Sequence, residues 1–192
     1  MKYLLRIIPL IIFSVIISSC SDQVTGINNT QDSPELTKSV LLVPGELSPE
    51  EAAGLIYMRQ EEKVARDVYI VLGQQWNLNI FTKIASSEQK HMDAVGRLID
   101  KYELEDPVIN DEVGVFADPD FQQMYNDFVL LGLQSIQDAM SAGQTIEIQD
   151  IEDLEAQLAF VDNQDIIKVY SNLLAGSQKH LSAFSAHTLP VF

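Results

Sequence analysis

The sequence predicts an all-α protein, a four-helix bundle made of two helical hairpins joined by a long crossover. Three observations carry that expectation. Apolar residues recur in steps of three and four from Ser48 almost to the C-terminus, no segment alternates with a period of two, and one helical phrase occurs twice. The phrase "SEQKHMDAV" at 87–95 returns as "GSQKHLSAF" at 176–184, with the histidine kept and Glu88 exchanged for Ser177.

Residues 1–19 read as a secretory signal: Lys2 and Arg6 flank an apolar run from Ile7 to Ile17, too short for a stable membrane-spanning helix. The run ends in "IISSC", which resembles a bacterial lipobox with Cys20 as the lipidated mature N-terminus. The alternative is an ordinary signal peptide with an incidental cysteine. Cys20 is the single cysteine of the chain, so no disulfide forms within it and the domain must be held by its core. Residues 20–48 are rich in Ser, Asn, Thr, Gln, Asp and Pro without sustained period, as in a flexible, lipid-anchored tether. The expected location is extracytoplasmic, anchored to a bacterial membrane. Ser21 after the cysteine fits outer-membrane sorting.

The helical domain is expected over 49–188. "SPEE" supplies an N-cap Ser48, Pro49 at N1 and Glu51 at N3. The seam then runs Leu55, Met58, Ala65, Tyr69, Leu72 and Trp76, with Glu62 its one charged position. A second helix from near Ile80 places Ile84, Val95, Leu98 and Tyr102 on one face, with Glu88 and His91 between them. "EDPVINDEVGVFADPD" at 105–120 breaks the pattern and reads as a crossover along the domain. Helical spacing resumes from Phe121, with a break near Gly132, and Ile136, Met140, Gly143, Glu147, Asp150 and Leu154 continue the seam. After "VDNQD" a last helix carries Ile166, Tyr170, Leu173, Ser177, His180, Phe184 and His187. Each hairpin thus bears a Glu on its first helix and the repeated phrase on its second.

The full chain has 12 basic and 28 acidic residues; removal of Lys2 and Arg6 leaves 10 − 28 = −18. Such a charge repels nucleic acid and anionic lipid heads, and attracts cations. Six ionisable residues, Glu62, Glu88, His91, Glu147, Asp150 and His180, lie on otherwise apolar seams. Buried charges of this kind cost several kcal/mol each unless compensated. Lys63, Arg66, Lys90 and Lys179 flank the seams rather than occupy them, so a bound cation is the economical compensation. Glu88-x-x-His91 sets a carboxylate and an imidazole one turn apart on one face, suited to a shared metal. Carboxylate and imidazole donors without thiolate suit iron or manganese, with zinc a third option. No arrangement for nucleophilic catalysis is visible.

These phrases resemble the ferritin-like superfamily. "EKVARDVY" at 62–69 is similar to the first-helix phrase of rubrerythrins and bacterioferritins, "SEQKH" to their second-helix Glu-x-x-His, and "GQTIE" at 143–147 to their third-helix Glu. More closely, "LSPEEAAGLIYMRQEEKVARDVY", "IASSEQKHMDAV", "IEIQDIEDL" and "NLLAGSQKHLSAF" resemble the bacterial ferritin-like domain of unknown function 2202. The resemblance implies terminal carboxylates at Glu62 and Glu147, a bridging one at Glu88, and one imidazole per metal from His91 and His180. Ser177 departs from it, standing where the superfamily offers a second bridging Glu. Asp150 either restores that carboxylate or caps a helix at "IEDLEAQLAF". Tyr57, Tyr69 and Tyr170 face the site or simply pack, and His187 is expected near a frayed end.

Three functions stay open: a redox protein whose mono- or dinuclear iron or manganese meets oxygen or peroxide, a non-catalytic metal-binding lipoprotein, and a structural bundle with a degenerate site. Whether the chain is an enzyme is left undecided. The expected partners are metal ions and, through Cys20, a membrane, with a homodimer as an option and no nucleic acid.

Overall fold

The computed structural model describes residues 47–187; within them lie five α-helices and no strand. The expectations for residues 1–19, Cys20 and most of the tether fall outside these residues. None of the described helices is long and apolar enough to cross a membrane. Helix α1, Pro49–Trp76, begins in a capping box: Ser48 Oγ accepts from Glu51 N at 3.1 Å and Ser48 N donates to Glu51 at 2.9 Å. It ends at Asn77, whose positive φ of 50° reverses the chain. Helix α2, Asn79–Lys101, therefore returns along α1, and the two pack as a hairpin.

The second hairpin joins α4, Ile136–Leu158, to α5, Gln164–His187. Glu51 ties this hairpin's turn to the start of α1, because one of its oxygens accepts from Asn163 N at 3.0 Å. The hairpins meet through α1 with α4 and α2 with α5, closing an all-α bundle.

The expected break near Gly132 is present, so the stretch from Phe121 forms two helices and adds a fifth to the four of the two hairpins. Helix α3, Pro119–Gly132, stops at Leu133, and Ser135 caps α4 by accepting from Asp138 N at 3.1 Å. Helix α3 packs on α1 and α4. Its approach is close at Gly132, where a Cβ would come within 2.6 Å of Leu72 Cδ1.

The crossover runs along α1. Asp106 pairs with Arg59 at 2.9 Å, Asp111 with Arg66 at 2.6 Å, and the Gly132 carbonyl accepts from Trp76 Nε1 at 2.8 Å. From Arg59 to Trp76 an α-helix rises about 25 Å. Underneath, Asp67 accepts from Lys63 at 2.5 Å, Arg66 at 2.8 Å and Gly114 N at 2.9 Å, while Lys63 also reaches the Glu112 carbonyl at 2.9 Å. Lys63 and Arg66, expected to flank the seams, are buried by this returning strap.

The bundle interior holds two apolar clusters. Val68, Tyr69, Leu72, Phe81 and Phe184 belong to one; Leu55, Met58, Val95, Leu98, Leu154 and Leu173 belong to the other. Along every bundle helix the charged seam residues fall between members of the two clusters.

Candidate functional site

Four helices contribute to this interior charged layer. Helix α1 supplies Glu62, α2 supplies Glu88 and His91, α4 supplies Glu147 and Asp150, and α5 supplies Ser177 and His180. All are buried except the two histidines, whose side chains remain 12% exposed.

Glu88 is central. Its Oε2 lies 2.7 Å from His91 Nδ1, and its Oε1 lies 2.7 Å from His180 Nδ1. Glu62 Oε2 is 3.4 Å from the same His91 nitrogen, and Glu147 Oε2 is 3.5 Å from the His180 nitrogen. Two groups result, Glu62–Glu88–His91 and Glu88–Glu147–His180, each with donor atoms within 4.8 Å of one another. The sequence repeat thus becomes two three-donor groups sharing one carboxylate.

The short contacts lack hydrogen-bond alignment. Both Glu88 oxygens, His91 Nδ1, His180 Nδ1 and Glu62 Oε1 are buried without a hydrogen-bond partner. An imidazole nitrogen and a carboxylate oxygen 2.7 Å apart and not joined by a hydrogen bond can both turn lone pairs towards a common third point once the nitrogen carries no proton. Buried polar atoms in folded proteins are almost always bonded to something, so this concentration of orphans on one layer is a demand for a ligand. Carboxylate and imidazole donors could hold a first-row divalent metal ion here.

Asp150 is not a helix cap. Helix α4 runs through it without interruption, and its buried carboxylate accepts a hydrogen bond from Ser177 Oγ across the bundle. Ser177, fully buried, also lies 3.0 Å from the Leu173 carbonyl of its own helix. Asp150 Oδ1 has no partner, and Asp150 belongs to neither three-donor group. Serine and aspartate together occupy one corner of the layer, joining α5 to α4.

Neighbouring side chains set the positions of the donors. Tyr69 donates to Glu147 Oε1 at 2.7 Å, leaving Oε2 directed at His180. Gly176 leaves room for the His91 ring; a Cβ there would lie 2.5 Å from its Cε1 and 2.6 Å from its Nε2. That packing leaves Nδ1 as the nitrogen facing the carboxylates.

Burial and mutual charge divide the titrating groups. Burial, followed by the Asp150 charge, pushes Glu62 well above the usual carboxylate range. Burial also raises Glu147 to about 7 and Asp150 to about 7. Burial acts upward on Glu88 too, but its close contacts with the protonated rings of His180 and His91 outweigh it and bring Glu88 down to about 2. Burial opposes charging of the imidazoles, yet Glu62 and Glu88 raise His91 to about 11, and Glu147 and Glu88 raise His180 to about 9. Protons therefore balance this layer unless cations replace them.

Of the aromatic candidates, Tyr69 touches a site carboxylate, Tyr57 donates to Asp153 at 3.2 Å, and Tyr170 is buried with an unpartnered hydroxyl. His187 is exposed on the last turn of α5, 2.7 Å from the Ala183 carbonyl, and stands apart from the layer. Sequence reasoning missed Glu61, which is 4% exposed on α1 although its neighbour Glu62 occupies the seam. It missed Asp67 too, buried beneath the crossover. No periodic signal marks either, because each is covered by chain distant in sequence.

Comparison with known proteins adds kinship without a reaction. Residues 51–189 match the profile of DUF2202, described as an uncharacterized protein domain. The chain is 52% identical over 138 residues, 72% of its own length and 75% of the relative's, to the uncharacterized protein MJ0754 of Methanocaldococcus jannaschii. It is also similar to the crystal structure of hypothetical protein MJ0754 from Methanococcus jannaschii. That match has a TM-score of 0.74 at 50% identity, covering 77% of this chain and 84% of the other.

Proposed function

The chain belongs to the DUF2202 family, a kinship that carries no reaction, and from the site itself we propose a ferritin-like, dinuclear metal-binding protein. Glu62 with His91 and Glu147 with His180 would hold two divalent cations, iron or manganese with zinc the third option, and Glu88, common to both groups, would serve both. The observation that carries the reading is the placement of Glu88, with one unpartnered oxygen 2.7 Å from an unpartnered nitrogen of each histidine.

Charge and residue roles support it. Glu62, Glu88, Glu147 and Asp150 supply four carboxylates against the four positive charges of two divalent ions. Tyr69 orients Glu147, and Ser177 holds Asp150 beside the pair. Iron or manganese bound here would supply one-electron chemistry towards oxygen or peroxide. The apolar clusters on either side would keep bulk water from the donors.

The serine at position 177 favours a second reading, in which the site holds a cation without turnover. Ser177 replaces a carboxylate, and its hydrogen bond occupies one oxygen of Asp150. Both readings place the domain on an extracytoplasmic lipoprotein tethered through Cys20, an extension resting on the sequence of residues 1–20.

Elemental analysis of the protein purified without chelators tests the proposal. Two redox-active ions per chain support the first reading and one redox-inert ion the second. Absence of bound metal, together with no uptake of added ferrous or manganous ion, overturns both.

A further inference from the structure

Next to the two three-donor groups, a line of carboxylates leads from the surface between α1 and α4. Asp153, half-buried, accepts from Tyr57 at 3.2 Å. Glu61, 4% exposed, accepts from Gln149 at 3.3 Å through Oε1, while its Oε2 is buried without a partner. Asp150, 5% exposed, follows with Oδ1 unpartnered, and then Glu62 with Oε1 unpartnered. Asp150, Asp153 and Glu62 are the charges that act on Glu61. Among the described residues, no ion pair includes Glu61, Asp150 or Asp153; the nearby bases Lys63 and Arg66 turn instead to Asp67 and the crossover.

Such a line is costly to bury and has no cation of its own. Its spacing also differs from that of a resident site. The groups with three donors within 4.8 Å of one another include Glu62 and Glu88 but neither Glu61, Asp150 nor Asp153. Carboxylates with an unpartnered oxygen, as on Glu61 and Asp150, in contact with a half-buried Asp153 but outside any three-donor group, suit passing an ion along rather than keeping it.

We propose that Asp153, Glu61 and Asp150 form the entry route by which a hard divalent cation passes between α1 and α4 to the Glu–His centre. The acidic surface collects the ion, Asp153 and Glu61 replace its waters in turn, and Asp150 delivers it beside Glu62. This rests on the dinuclear reading above, and the experiment separates the two.

The test is stopped-flow loading of the chelator-treated protein with Co²⁺, read by its visible absorption, in wild type, Glu61→Gln and Asp153→Asn. Gln has the shape and hydrogen-bonding capacity of a neutral carboxyl group, so a merely structural, protonated Glu61 predicts no change. The route predicts loading at least about tenfold slower in Glu61→Gln and several-fold slower in Asp153→Asn, with release slowed alike and final stoichiometry unchanged. Equal loading rates in all three proteins overturn the route while leaving the metal site standing. Lower stoichiometry at an unchanged rate in Glu61→Gln also overturns it, making Glu61 a resident ligand. Should Glu61→Gln not fold, an unchanged rate in Asp153→Asn decides against the route. A wild type that takes up no Co²⁺, Mn²⁺ or Fe²⁺ overturns the dinuclear reading, and the route with it.

Discussion

His91 and His180 face each other with ring centroids 5.6 Å apart and planes inclined by 27°, and the Glu88 carboxylate presents one oxygen to each. The two histidines of a repeated sequence phrase thus converge on the one glutamate that the phrase does not repeat.

Glu88→Ala should weaken both cation equivalents, whereas Glu62→Ala should weaken one. Even outer-shell partners of a metal ligand are worth about 10–100-fold in affinity, so the loss per affected site should be at least about tenfold. Calorimetric titration with Mn²⁺ reads both equivalents. Retention of one equivalent at wild-type affinity in Glu88→Ala would show that the carboxylate is not shared.

Ser177→Glu should not raise the number of bound ions, because Asp150 already fills that corner. The new carboxylate would enter a fully buried position beside another and should lower stability by roughly a few kcal/mol in the chelated protein. Ser177→Ala leaves Asp150 without its donor, at a cost of about 1–3 kcal/mol. Thermal melts with and without Mn²⁺ measure both; a higher ion count and a higher midpoint in Ser177→Glu would contradict the account of Asp150.

The chelated protein should lose stability as pH rises from about 5 to 9. Glu147, raised to about 7 from 4.5, and Asp150, raised to about 7 from 3.8, stabilise the fold in their protonated forms. That contribution is full below the unfolded values and disappears as pH rises through about 7. His91 and His180, raised from 6.5 to about 11 and about 9, act in the same direction, stabilising fully below 6.5 and less as pH climbs through the folded values. Glu88, lowered from 4.5 to about 2, acts oppositely but only below pH 4.5. Urea unfolding across this range checks the slope, and a flat or rising profile would show that the layer is not balanced by protons.

Asp67→Ala should be among the most damaging substitutions away from the site. It leaves Lys63 and Arg66 buried without their shared carboxylate and releases Gly114 N. Removing one partner of a buried ion pair costs about 3–5 kcal/mol. Urea denaturation should show that loss, and limited proteolysis should cut the crossover within 105–118 more readily. A variant within about 1 kcal/mol of wild type would mean that the strap is held by other contacts.

Much of the architecture was legible before any coordinate. Ser48, Pro49 and Glu51 announce the start of α1, the three-and-four spacing identifies the inward face of each bundle helix, and Glu62, Glu88, His91, Glu147, Asp150 and His180 stand out there as charge on an apolar seam. The pattern could not place α3, where Phe121 keeps helical spacing and joins the apolar core, yet the helix lies beside the two hairpins, packed on α1 and α4.

What the chain alone determined is therefore local: which residues form helices, where those begin, and which face turns inward, because capping and periodicity act within a few turns. Only the tertiary structure decided that Asp150 is the partner of Ser177 rather than a cap. That outcome depends on how α4 and α5 are rotated against each other, and a single helix cannot encode its neighbour's rotation. Only the tertiary structure buried Glu61, Lys63, Arg66 and Asp67, whose faces read as solvent-facing by period. They are covered by α4 or by a crossover far away in sequence, and burial by distant chain leaves no mark on the spacing of the residues it covers.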